Sequence, residues 1–215
     1  MEESSFEEFE KEYLKIDPNK LFQSIWSKPK VTLEYVLHTI PTKHVTILFV
    51  LGGIVRNIGR ATQRGLGDNM STMVVLASSV FLGAFFGWIG YYIYAWALSA
   101  LGKLLGGAAD PEKMRTVLAW SLVPSIASLL LLIPQLIIFG DDLFRSYPLN
   151  DSTFYSTLWM VFGILELILS IWSIVILVIG IRLVQSFNIG FAILNMLLPI
   201  FAILIPLALL AILAS

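Results

Sequence analysis

The sequence predicts an all-α, polytopic membrane protein, a bundle of five transmembrane helices with an N-terminal cytoplasmic interfacial amphipathic segment. Three observations predict it. Hydrophobic residues make up 57% of the chain and charged residues only 13%, against roughly a quarter charged in a soluble domain. Mean hydropathy is +0.83, and several apolar runs exceed the ~20 residues that cross a bilayer as helix. Finally, one polar interruption, from Leu98 to Pro124, parts two long apolar runs and is glycine-rich and basic at both rims, at Lys103 and at Lys113 and Arg115. That is the composition of a turn at a membrane surface.

Residues 1–41 read as a cytoplasmic acidic tail followed by the interfacial segment, and residues 42–215 as the membrane domain. The N-terminus is acidic where a secretory signal would be basic and then apolar, so no cleaved targeting segment is expected. In the tail, Phe6, Phe9, Tyr13 and Ile16 recur at three- and four-residue spacing among acids, the pattern of an amphipathic helix or of a solvated tail. Asp17-Pro18 then restarts structure. Leu21, Phe22, Ile25 and Trp26 form an apolar stripe edged by Lys20, Lys28 and Lys30, suited to lie on a bilayer with Trp26 at headgroup depth and Lys28 and Lys30 toward anionic lipid.

The spans are expected at about 42–61, 71–101, 115–139, 156–181 and 190–213. The first is weak, because Arg56, Arg60 and Arg64 enter before it is complete; at i, i+4 and i+8 they line one helix face. They act either as anchors that snorkel to phosphates or as a site for a lipid headgroup or acidic partner. The second span offers Gly83 and Gly87 as a small-xxx-small packing face. Pro124 and Pro134 kink the third, where Ser121, Ser125 and Ser128 share a face. The fourth contains Glu166, the only acid inside an apolar run, with Ser170 one turn on. An acid at mid-span costs about 3 kcal/mol on an insertion scale. It therefore either hydrogen-bonds in neutral form to Ser121, Ser125 or Asn195, or lines a polar path for a proton, ion or headgroup. The fifth span is uncharged, with Asn195, Pro199 and Pro206 as its irregular points, and the chain ends at Ser215.

Of the 14 Lys and Arg residues, ten fall on the tail side of these spans and four on the other. The positive-inside rule then puts the N-terminus in the cytoplasm and the C-terminus outside.

Trp26-x-x-Pro29 precedes a first span ending in Gly-Arg-Ala-x-x-Arg-Gly-Leu-Gly-Asp (Gly59 to Asp68). A glycine- and aromatic-rich second span follows, then Leu-Leu-Gly-Gly (Leu104 to Gly107) and Val-Leu-Ala-Trp-Ser-Leu-Val-Pro (Val117 to Pro124). In order and spacing these resemble bacterial members of the Yip family, the Ypt/Rab-interacting-protein membrane domain. Gly106, Gly107 and Pro124 belong to the best-matched element. The resemblance implies five helices, a cytosolic N-terminal region and a lumenal or periplasmic C-terminus, and its bacterial type a bacterial cytoplasmic (inner) membrane location. Eukaryotic members bind small GTPases through tails with motifs such as Asp-Leu-Tyr-Gly-Pro; this chain lacks that motif, which argues against a GTPase partner.

Enzyme chemistry is not expected. There are no cysteines and only two histidines, His38 and His44, neither beside an acid. Zinc-protease, nucleophile-elbow and phosphate-loop patterns are missing, and no metal, cofactor or nucleic acid is expected. Two readings remain: a membrane-organising, trafficking-type interaction or scaffold protein, which is favoured, and a lipid- or small-solute-handling protein using Glu166 and the three arginines. Membrane lipids, anionic ones included, and a homo-oligomer or membrane-protein partner are the expected contacts.

Overall fold

The computed structural model describes residues 13–150 and 152–213, with side chains described through Ala202 and at Leu204. The tail stretch with Phe6 and Phe9 lies outside the described residues. The helices are α1 (Leu21–Ser27), α2 (Pro29–Thr39), α3 (Val45–Gln63), α4 (Thr72–Leu104), α5 (Pro111–Ser121), α6 (Val123–Phe139), α7 (Thr153–Gln185) and α8 (Ile189–Leu213). Four helical stretches are long and apolar enough to cross a membrane: α3, α4, the α5–α6 stretch and α7. The apolar part of α8 with described side chains, Ile189–Ala202, is shorter, so the fifth span is not established by length.

Two boundaries depart from expectation for local reasons. The third span is divided at Leu122, because Pro124 at the start of α6 cannot donate a backbone hydrogen bond to the preceding turn; Pro134 lies inside α6. Helix α7 extends past the expected 156–181 at both ends, and Arg182 lies within its last turn rather than closing it. Ser186, at φ 58°, ends the helix instead.

The chain forms two compact units, one of Met1–Lys43, Tyr91–Ser121 and Val175–Ser215, the other of His44–Gly90 and Leu122–Ile174. In the first, Leu21, Ile25, Leu33 and Val36 are buried. Phe22 stacks on Trp120 of α5 at 5.0 Å, and a side chain at Gly180 of α7 would strike Val117 and Leu33. Of the expected interfacial stripe, Leu21 and Ile25 are thus buried against protein, while Phe22 stays exposed and Trp26 half-buried.

In the second unit, α3 and α4 meet where both have lost their side chains. A Cβ on Gly83 would sit 2.6 Å from Ile54 Cα, and one on Gly53 would sit 2.7 Å from Gly87 Cα. Backbones this close gain dispersion and weak hydrogen bonding in a medium with no hydrophobic drive between helices. Ala61, Val75, Phe139, Leu143 and Phe144 form a buried cluster at the turn end of these helices. Phe139 packs edge-on against Tyr155, Trp159 and Phe162.

Candidate functional site: a polar groove within the membrane helices

Helices α3, α6 and α7 enclose a groove of about 320 Å³ within the second unit. Its walls are mixed. Leu129, Leu132, Phe162 and Leu169 supply apolar surface, while Ser125, Ser128, Gln135, Glu166 and Ser170 project polar groups into it. Gln135, nearly buried, donates from Nε2 to Glu166 Oε1 at 2.8 Å. Ser125 and Ser173 share a hydroxyl hydrogen bond at 2.8 Å, and the Ser125 backbone amide donates to Ser173 Oγ at 3.0 Å. That second bond satisfies an amide near the N-terminus of α6, where the helix itself offers no acceptor. Two wall positions are glycines, Gly59 and Gly163, and a Cβ on either would meet nothing within 4 Å. They hold the groove open rather than permit close packing.

Glu166 therefore has a partner that sequence reading did not assign. Ser121 donates to Leu118 O, and Asn195 Nδ2 to Leu98 O. Both belong to the other unit, and Ser125 is engaged with Ser173. Ser170 lines the same groove as Glu166. The missed residue, Gln135, was visible as the lone amide in the apolar run after Pro134. Gly59 and Gly163 left no signal, since glycine in a membrane helix usually marks packing.

Arg56 and Arg60 lie in α3 and Arg64 caps it, all three exposed. They follow groove residues in sequence: Val55 precedes Arg56, Gly59 precedes Arg60 and Gln63 precedes Arg64. At 100° per residue this puts the arginine face next to the groove face, along one rim.

The turn beyond α3 is fixed by its glycines and one acid. Gly65 is left-handed, at φ 59°, and Gly67 approaches Phe144 so closely that a Cβ would sit 2.9 Å from its carbonyl. Asp68 accepts from the Ser146 amide at 3.0 Å. Hydrogen bonds from Ser146, with the nearby Arg145 charge adding to them, hold the Asp68 carboxyl below its ordinary value.

In the first unit the glycine-rich loop is explained by a buried amide. Gln185 Oε1 accepts from the Ala109 amide at 2.9 Å, and Ser99 Oγ donates to Ala109 O at 2.8 Å. A side chain on Gly107 or on Gly102 would collide with Gln185, while Gly106 has φ 84°. Gly106 and Gly107 thus serve loop geometry, and Pro124 the α5–α6 break. Trp26 is half-buried, and Lys28 and Lys30 are exposed, with Lys30 Nζ 3.8 Å from Glu34.

Comparison with protein families matches residues 11–210 to the model of the Yip1 domain. Among curated proteins and solved structures, nothing matches the chain.

Proposed function

The chain belongs to the Yip1-domain family of membrane proteins, and from that premise we propose that it is a non-enzymatic, multi-pass protein that handles lipids. In this reading the α3–α6–α7 groove admits the polar headgroup of a lipid whose acyl chains stay in the bilayer. The observation that carries it is the lining: a hydrogen-bonded glutamate–glutamine pair and a run of serines in helices otherwise built for lipid contact. A polar wall in hydrocarbon costs free energy unless something polar uses it. The ten-to-four distribution of basic residues supports a cytoplasmic N-terminus; the length of α8, 25 residues, supports a fifth span, and the bacterial-type motifs a bacterial inner-membrane setting.

The test is lipid translocation in liposomes containing the purified full-length chain, read by loss of fluorescent headgroup signal to an impermeant reductant. Gly163→Phe sends a ring toward the groove from a position where a Cβ meets nothing within 4 Å, so it should fold and slow translocation at least tenfold. Glu166→Leu should slow it too. Translocation by Gly163→Phe at the wild-type rate would remove the groove as the path.

A second reading, the membrane-organising scaffold, is favoured by the packed α1–α2 region. It presents Lys20 and Lys28 outward, with Leu21 and Ile25 buried and Phe22 stacked on Trp120 of α5. Reversing charge on that face, Lys20→Glu/Lys28→Glu, separates the two readings: it should leave translocation intact if the groove is the functional element, and abolish a scaffold role.

A further inference from the structure

Arg56 does not reach for the near end of its helix. One of its guanidinium nitrogens, Nη1, lies 3.6 Å from the position a Cβ would take on Gly90. Gly90 is deep in the 33-residue helix α4, about 27 Å from Thr72 at 1.5 Å per residue. The guanidinium therefore lies against α4 about five turns in from Thr72, while Arg56 itself stands about 12 Å from Arg64 along α3. Side chains tilt toward the N-terminus of their own helix, which for Arg56 means inward, and Gly90 leaves the space it occupies. Among the described residues no carboxylate lies within 4 Å of it and no hydrogen bond engages it. The nearest acid of the groove, Glu166, gives Oε1 to Gln135.

A guanidinium stays charged at any depth, so a bilayer around this one must supply a counter-charge or deform. Arg60 and Arg64 continue the same exposed face toward the turn, at steps of about 6 Å. We propose that Arg64, Arg60 and Arg56 form a phosphate ladder on the rim of the groove. It recognises the phosphodiester of a phospholipid headgroup at the interface and conducts it inward along that rim. Arginine suits this role because its planar fork takes two phosphate oxygens at once and is less strongly hydrated than lysine's ammonium. The proposal rests on the lipid-handling reading and narrows its substrate class to phosphate-bearing lipids.

The experiment uses the full-length protein in detergent, titrated with phosphatidylglycerol or with diacylglycerol, which lacks the phosphate, and read by native mass spectrometry. The wild type should retain phosphatidylglycerol and not diacylglycerol. Arg56→Gln/Arg60→Gln should weaken retention roughly tenfold or more, with an unchanged melting temperature because both side chains are exposed. Competition by millimolar inorganic phosphate would identify a site for the free anion and overturn the lipid assignment; no competition supports it. In liposomes, Gly163→Phe should block translocation while keeping phosphatidylglycerol bound. A wild type that binds phosphatidylglycerol but translocates nothing would sink the groove reading and leave the arginine site. A double mutant with wild-type binding and translocation would sink the ladder and leave the groove.

Discussion

Gly53 and Gly59 lie less than two turns apart on α3, and the structure assigns them opposite roles, so a pair of alanine substitutions tests it sharply. A methyl at Gly53 would meet the α4 backbone 2.7 Å away at Gly87 Cα and come closer still to Gly83 O. Backbone cannot rotate aside as a side chain can, so the helices must part. Overpacking of this kind costs about 1–3 kcal/mol, offset by at most ~1 kcal/mol from alanine's better helix propensity. A methyl at Gly59 meets nothing within 4 Å and keeps the propensity gain of up to ~1 kcal/mol. The two variants should therefore differ by about 1–3 kcal/mol, or roughly 3–10 °C in melting temperature for a chain of this size. The assay is thermal unfolding of each full-length variant in the same detergent, followed by far-UV circular dichroism. Equal melting temperatures would refute the close α3–α4 crossing.

Three further outcomes follow from the same geometry. Gln185→Leu removes the acceptor for the Ala109 amide and should destabilise by about 1–3 kcal/mol, with faster proteolysis of the Gly106–Asp110 loop as the local readout. Gly107→Ala should behave similarly, since its methyl collides with Gln185. Asp68 has a lowered carboxyl value in the fold. Its contribution is therefore fully present above the ordinary value of 3.8 and is lost as pH falls below that through the lowered one. Melting temperature against pH should show the wild type losing more than Asp68→Asn in that acid range.

Much of the fold was legible because membrane insertion imposes long apolar runs that composition cannot hide. Helices α3 and α4 begin and end near their expected limits, α7 runs a turn further at each end, and the Pro124 break follows from a missing backbone donor. The α1–α2 region was legible only in part, for a physical reason. An amphipathic stripe edged by lysines looks the same whether its apolar face meets lipid or protein, and only Trp120 and Gly180 show which. Glu166 stood out as the one acid inside an apolar run, yet its partner did not, because residues 135 and 166 are brought together by helix packing that no local pattern encodes. The Gly-Gly motif was recognised as a signature before its cause was visible. That cause is Gln185, far along the chain, whose amide occupies the space a side chain would need.

The most direct test of the central claim is whether the groove is polar and reachable in a bilayer. The chain has no cysteine of its own, so single substitutions report without background. Ser128→Cys and Ser170→Cys stand in the groove wall, whereas Ile171→Cys lies on the same helix as Ser170, exposed and outside the groove lining. With the protein in liposomes, a charged, membrane-impermeant thiol reagent should modify the first two and leave the third, and adding Gly163→Phe should protect them. Uniform inertness of all three positions, or equal reactivity of Ile171→Cys, would contradict a polar path through the α3–α6–α7 helices.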